Sequence, residues 1–121
     1  MNKIALHKKF LVNARIKEET FKIYTINGDY LRTFHDVGFL FGGHKIAGAK
    51  YDYIPANEIW IEESIGTRHD MAAIIMHEIT EINHMKNKRW SYKKAHADAN
   101  RVESVFRKAT WGRKIDFVFE I

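Results

Sequence analysis

The stretch AAIIMHEITEINHM, Ala72–Met85, places two imidazoles, two carboxylates and a carboxamide in an otherwise apolar run. His77, Glu81 and His84 stand at i, i+4 and i+7, so a helix would present all three on one face. Further along, His96, Asn100 and Glu103 repeat that spacing. Imidazole and carboxylate groups four residues apart on a helix can both reach one divalent ion about 2 Å away. Glu78 follows His77, roughly 100° round the helix. It is placed to take a proton from a water on the ion during attack on a carbonyl. A further ligand must come from elsewhere. His96 is the first choice, followed by Glu103, Asp98 and His84, one of which would instead orient a ligand histidine from outside. The expected set is therefore His77, Glu81, His96 and Glu103 for the metal, with Glu78 as the base.

Composition narrows the ion's chemistry. There is no cysteine among the 121 residues, which excludes thiolate zinc sites, disulfides and cysteine nucleophiles. A metal site must use His, Asp and Glu with water; zinc is expected, with manganese or another divalent ion as the alternative. The chain is 45% hydrophobic, enough for one domain with a real core. It has no run of 18 apolar residues, so no membrane span is expected, and no apolar stretch near its start reads as a secretory signal. The expected location is the cytoplasm.

Charge is unevenly spread. Asp52–Glu81 holds seven acids and one base, Arg68, whereas Lys86–Lys114 holds ten Lys and Arg against Asp98 and Glu103. With Trp90, Tyr92 and Trp111 interleaved, this basic block is the candidate contact for nucleic acid or a host protein. No base-reading motif accompanies it, so nucleic-acid binding there would be weak, non-specific and salt-dependent. The plainer reading is a solvated helix face.

The elements that must position these residues point to an α+β fold. A small antiparallel sheet fills the N-terminal half, about residues 20–63, and two packed helices follow over about 67–110. Asn27-Gly28 between FKIYTI and YLRTF is a hairpin signal. VGFLF (Val37–Phe41) reads as a third strand ending in a Gly42-Gly43 turn, and NEIWIEE (Asn57–Glu63) as a strand with one wet face. Thr67 with Asp70 resembles a capping box and starts a helix over Arg68–Lys86, with Met71, Ile75, Ile79 and Ile82 as its apolar stripe. Ser91 caps a second helix, Tyr92–Ala109, whose stripe is Ala95, Ala99, Val102 and Phe106. The segment 115–120 reads as a last strand. The short link between the helices favours an antiparallel pair, which would bring the two polar stripes together. His44 reads as a loop histidine and His84 as a helix-surface residue.

The pentapeptide HEITE, His77–Glu81, resembles the active-site helix of the zincin metallopeptidases, whose pattern is H-E-x-x-H. The strand NEIWIEE fits the zincin plan of an edge strand beside that helix, and a ligand on the following helix resembles the gluzincin branch. The resemblance implies a peptidase-like hydrolase with His77 as ligand and Glu78 as base, acting on a peptide or protein. Glu81 stands where zincins have the second histidine, which would make the ion less Lewis acidic and favour a harder metal. In order, Gly42-Gly43, IPANEIWIEE, HEITE and YKKAHADANRVE also resemble a group of small phage and bacterial proteins sharing an HExxE…AHxxxNxxE pattern, over roughly residues 21–107. That likeness implies that the helices and metal-type residues belong together; it supplies no substrate.

Two rivals stand beside the hydrolase. One is a non-catalytic, phage-type binding protein with a structural ion and the basic surface. The other is a Mg²⁺-dependent nucleotide hydrolase using Glu78, Glu81 and Glu103, against which the histidines and the β-rich first half argue.

Overall fold

The computed structural model describes residues 5–47 and 51–121. Five strands and three α-helices appear among them: β1 (Lys9–Ile16), β2 (Glu19–Ile26), α1 (Gly28–Phe34), β3 (Gly42–His44), β4 (Glu58–Glu62), α2 (Arg68–Lys86), α3 (Tyr92–Thr110) and β5 (Phe119–Glu120). The class is α+β, as expected. The sheet is mixed rather than wholly antiparallel. Its order is β3-β4-β2-β1-β5, with β2–β4 and β1–β5 parallel and the other two pairings antiparallel.

The hairpin lies upstream of the expected one. β1 pairs with β2 from Ile16↔Glu19 outward, and Lys17 turns the chain at φ 56°. Asn27-Gly28 instead starts a helix. Asn27 Oδ1 accepts from Asp29 N at 3.0 Å and Tyr30 N at 3.3 Å, capping α1. Tyr30–Phe34 is therefore helical. Val37–Phe41 forms no strand, and Gly42-Gly43 is strand rather than turn. Without Cβ atoms these two glycines let β3 approach its neighbours. A Cβ on Gly43 would sit 3.1 Å from the Tyr51 ring.

β4 has no wet face. Ile59 and Ile61 join Phe21, Ile23, Ile75, Ile79 and Ile82 in the core between sheet and α2. Trp60, on the other face, joins Ile26, Leu31, Phe39 and Ile54 in a second cluster. A strand packed on both faces reads as a near-continuous buried run. The alternating Glu62 is buried because Arg32 Nη2 donates to its Oε2 at 3.0 Å and Gly28 N to its Oε1 at 3.1 Å.

α2 begins where expected. Thr67 Oγ1 accepts from Asp70 N at 3.0 Å and donates to Asp70 Oδ2 at 2.7 Å. Ile75, Ile79 and Ile82 are wholly buried against the sheet, and Ala95 and Ala99 of α3 are wholly buried as well. The small alanines allow close approach of the helices. Their contacts run in opposite chain directions: His69 to Thr110, Asp70 to Arg107, His77 to Glu103, Glu81 to His96 and His84 to Asp98. The pair is thus antiparallel, and both helix faces that carry polar residues meet. Among the described residues no helix is long and apolar enough to cross a membrane.

Candidate metal centre

Sandwiched between sheet and α3, α2 buries polar groups as well as its isoleucines: His77, Glu78, Glu81 and His84 are each under one-tenth exposed. Buried polar groups require partners, and Glu81 is the hub. Its Oε2 lies 2.9 Å from His96 Nδ1 and 3.3 Å from His77 Nε2. Its Oε1 lies 2.7 Å from His44 Nε2. Three imidazoles on three elements surround one carboxylate. His77 and His96 meet ring edge to face at 4.9 Å, and Tyr92 stacks on the outer side of His96 at 5.3 Å.

Glu78 faces His44 across 3.5 Å. Gly42 leaves the space for its carboxylate. A Cβ there would lie 2.9 Å from Glu78 Oε1, 3.1 Å from Ile61 and 3.3 Å from Ile74. Gly42→Ala is therefore expected to cost about 1–3 kcal/mol by overpacking. Denaturant unfolding would measure it, and an unchanged midpoint would contradict the tight contact.

A cleft of about 380 Å³ opens over these groups. Leu40, Phe41, Ile74, Tyr51 and Tyr92 give it apolar and aromatic walls, and His77, Glu78, Glu81 and His96 line it as well. Burial raises the pKa of Tyr51 and Tyr92, and the carboxylates of Glu78 and Glu81 add to the effect. Both phenols stay protonated as donors.

The electrostatics divide the two glutamates. Burial raises the Glu78 carboxyl, and facing His44 only partly opposes it. Glu81 is also penalised by burial, yet its imidazole partners hold it well below the usual carboxylate range. Burial disfavours the charged form of His77, but Glu103 and Glu81 outweigh that and push it up to about 10.

One ligand atom each from His77, Glu81 and His96 lies within 4.8 Å of the others. Donors about 2.0–2.2 Å from a tetrahedral ion sit roughly 3.3 Å from one another. The contacts of 3.3 Å and 2.9 Å at Glu81 Oε2 fit that spacing, so the donor set suits zinc or a similar ion. Glu103 lies elsewhere, with its Oε1 3.1 Å from His77 Nδ1, the ring nitrogen turned away from Glu81. Arg107 Nε anchors Glu103 at 3.1 Å. This places Glu103 where a carboxylate supports a ligand histidine from behind.

No family model, curated protein or solved structure matches the chain.

Two histidines lie elsewhere than the sequence suggested. His84 is buried, with Nε2 2.6 Å from Asp98 Oδ2 and its ring 4.3 Å from Trp90. Both it and Asp98 are thus set apart from the Glu81 cluster. His44 is no loop residue: it lies in β3, 1% exposed, against Glu81. The only sequence signal for it was a histidine following two glycines, residues that let backbone come close.

Proposed function

We propose that the protein is a metal-dependent hydrolase of peptide or amide bonds, with His77, Glu81 and His96 holding one divalent ion, zinc first and manganese as the alternative. The observation that carries this reading is the convergence of two imidazole nitrogens on Glu81 Oε2, on the floor of a cleft also lined by Glu78. An ion held there would polarise a carbonyl and acidify a water. Glu78, whose proton affinity burial raises, takes the proton from the attacking water at its carboxylate and can return it to the leaving amine. Tyr51 and Tyr92 line the same cleft, and the Tyr92 hydroxyl lies 3.4 Å from His96 Nδ1. Glu103, braced by Arg107, steadies the His77 ring.

Metal content of the untagged protein tests the reading. About one zinc per chain is expected, with loss in both His77→Ala and His96→Ala, since removing a ligand from a three-residue site leaves too few donors. Full zinc content in either variant would remove that residue from the ligand set.

Proton release gives a second test. In the metal-free site His77 is protonated at neutral pH, because its pKa is about 10. A ligand imidazole must be neutral, so zinc uptake displaces that proton. Glu81 is already ionised and releases none. Apparent affinity is thus expected to rise about tenfold per pH unit between pH 6 and 8. Calorimetry in buffers of different ionisation enthalpy would count the proton; none released would contradict the assignment of His77.

The alternative is a binding protein with a structural ion and a basic surface. The observation favouring a version of it without the ion is that three imidazoles already surround Glu81 and can satisfy its carboxylate. Against its nucleic-acid form, several cations of Lys86–Lys114 already have partners. Lys86 pairs with Glu19, Arg101 with Asp98, and Arg107 with Asp70 and Glu103. Lys88 and Lys94 lie over Trp90.

A further inference from the structure

Glu81 turns its two oxygens toward different partners. Oε2 serves His77 and His96, whereas Oε1 lies 2.7 Å from His44 Nε2. On that second side, Glu78 Oε2 stands 3.5 Å from the same His44 nitrogen. One ligand atom each from His44, Glu78 and Glu81 lies within 4.8 Å of the others, and all three side chains are buried. The contacts of 2.7 and 3.5 Å at His44 Nε2 bracket the roughly 3.3 Å between donors on a tetrahedral ion, so this set too can close on a cation.

We propose that the pocket binds a second divalent ion at His44, Glu78 and Glu81, with Glu81 bridging the two ions through its separate oxygens. The proposal rests on the reading that His77, Glu81 and His96 hold the first ion. A bridging carboxylate joins ions at the roughly 3.5–4 Å separation common in two-ion hydrolytic centres. Two buried carboxylates close together also repel, and a cation between them offsets both that repulsion and their lost hydration.

The two sets differ in chemistry. The first offers two imidazoles and one carboxylate; the second offers one imidazole and two carboxylates. Imidazole suits zinc, while carboxylate oxygen suits harder ions such as manganese. The sites therefore sort the two metals: zinc beside His77 and His96, Mn²⁺ beside His44. Because the second ion occupies Glu78 Oε2, it competes with proton uptake by the proposed base, and filling it slows hydrolysis.

The test is to load the protein with one equivalent of Zn²⁺ and titrate with Mn²⁺, following free Mn²⁺ by its EPR signal and retained zinc by elemental analysis. The expected result is about one Mn²⁺ per chain without displacement of zinc. His44→Asn should abolish Mn²⁺ uptake and keep zinc. Glu78→Gln should do the same, which keeps the proposal testable if the buried His44 variant fails to fold. Zinc-loaded wild type that takes up no Mn²⁺ would overturn the second site while leaving the first, with His44 serving as a hydrogen-bond donor to Glu81. Mn²⁺ uptake that survives both substitutions would also overturn it. Wild type that binds no zinc would instead overturn the reading of the first triad, and the second with it.

Discussion

Glu78→Gln, loaded with one equivalent of zinc, is expected to retain the ion and to lose about 10²–10⁴-fold in turnover. The amide keeps the volume of the carboxylate but cannot accept a proton at neutral pH. Its fit beside Gly42 is preserved, so loss of fold is not the expected outcome. Glu78 is outside the His77–Glu81–His96 set, so zinc content should stay at the wild-type value. Burial raises its pKa toward the working range of a general base, which is what the assigned step requires. The decisive measurements are zinc per chain and kcat on a peptide or amide that the wild type hydrolyses. Unchanged turnover would remove Glu78 from the chemistry. Turnover and zinc lost together would make it a ligand of the first ion.

The helical half of the molecule was legible because its signals are local. Thr67 and Ser91 cap the two helices through bonds to Asp70 N and Lys94 N, and each start could be read from a few adjacent residues. The isoleucines of α2 follow a helical period. The pairing of Glu81 with His96 followed from a short connection and matched polar stripes. The sheet was harder, because its pairings are set far along the chain. β4 lies parallel to β2, and nothing near NEIWIEE says that a second cluster covers Trp60. β1 was obscured by a register shift between Phe10 and Val12, which breaks the alternation of period two. Its turn at Lys17 carries no glycine, asparagine or proline. His44 was illegible for the same reason as β3: a three-residue strand is defined by its neighbours, not by its own pattern. The sequence therefore disclosed the helical wall of the pocket, and the fold added the wall opposite.

Asn27-Gly28 shows how one signal can arise from a different cause, and Gly28→Ala separates the two. In a hairpin turn the glycine would be needed for positive φ. Here Gly28 is the first residue of α1 and is not among the positive-φ glycines, so alanine should suit its backbone and slightly favour the helix. Space decides otherwise. A Cβ would lie 1.4 Å from Glu62 Oε2, 2.5 Å from Glu62 Cδ and 2.8 Å from Arg32 Nη1. The carboxylate must leave, breaking its bond from Gly28 N and its pair with Arg32. Evicting a buried, paired carboxylate is expected to destabilise the fold by about 3 kcal/mol. The effect should depend on Glu62. In a Glu62→Ala background the clash with the carboxylate is gone and only the flexible end of Arg32 has to shift, so the cost of Gly28→Ala should fall below about 1 kcal/mol, giving a large coupling in a double-mutant cycle. Equal costs in both backgrounds would show that the backbone, not Glu62, requires glycine there. A strong coupling would establish that Gly28 is required by the Glu62 carboxylate packed against it, a contact that ties the start of α1 to the end of β4.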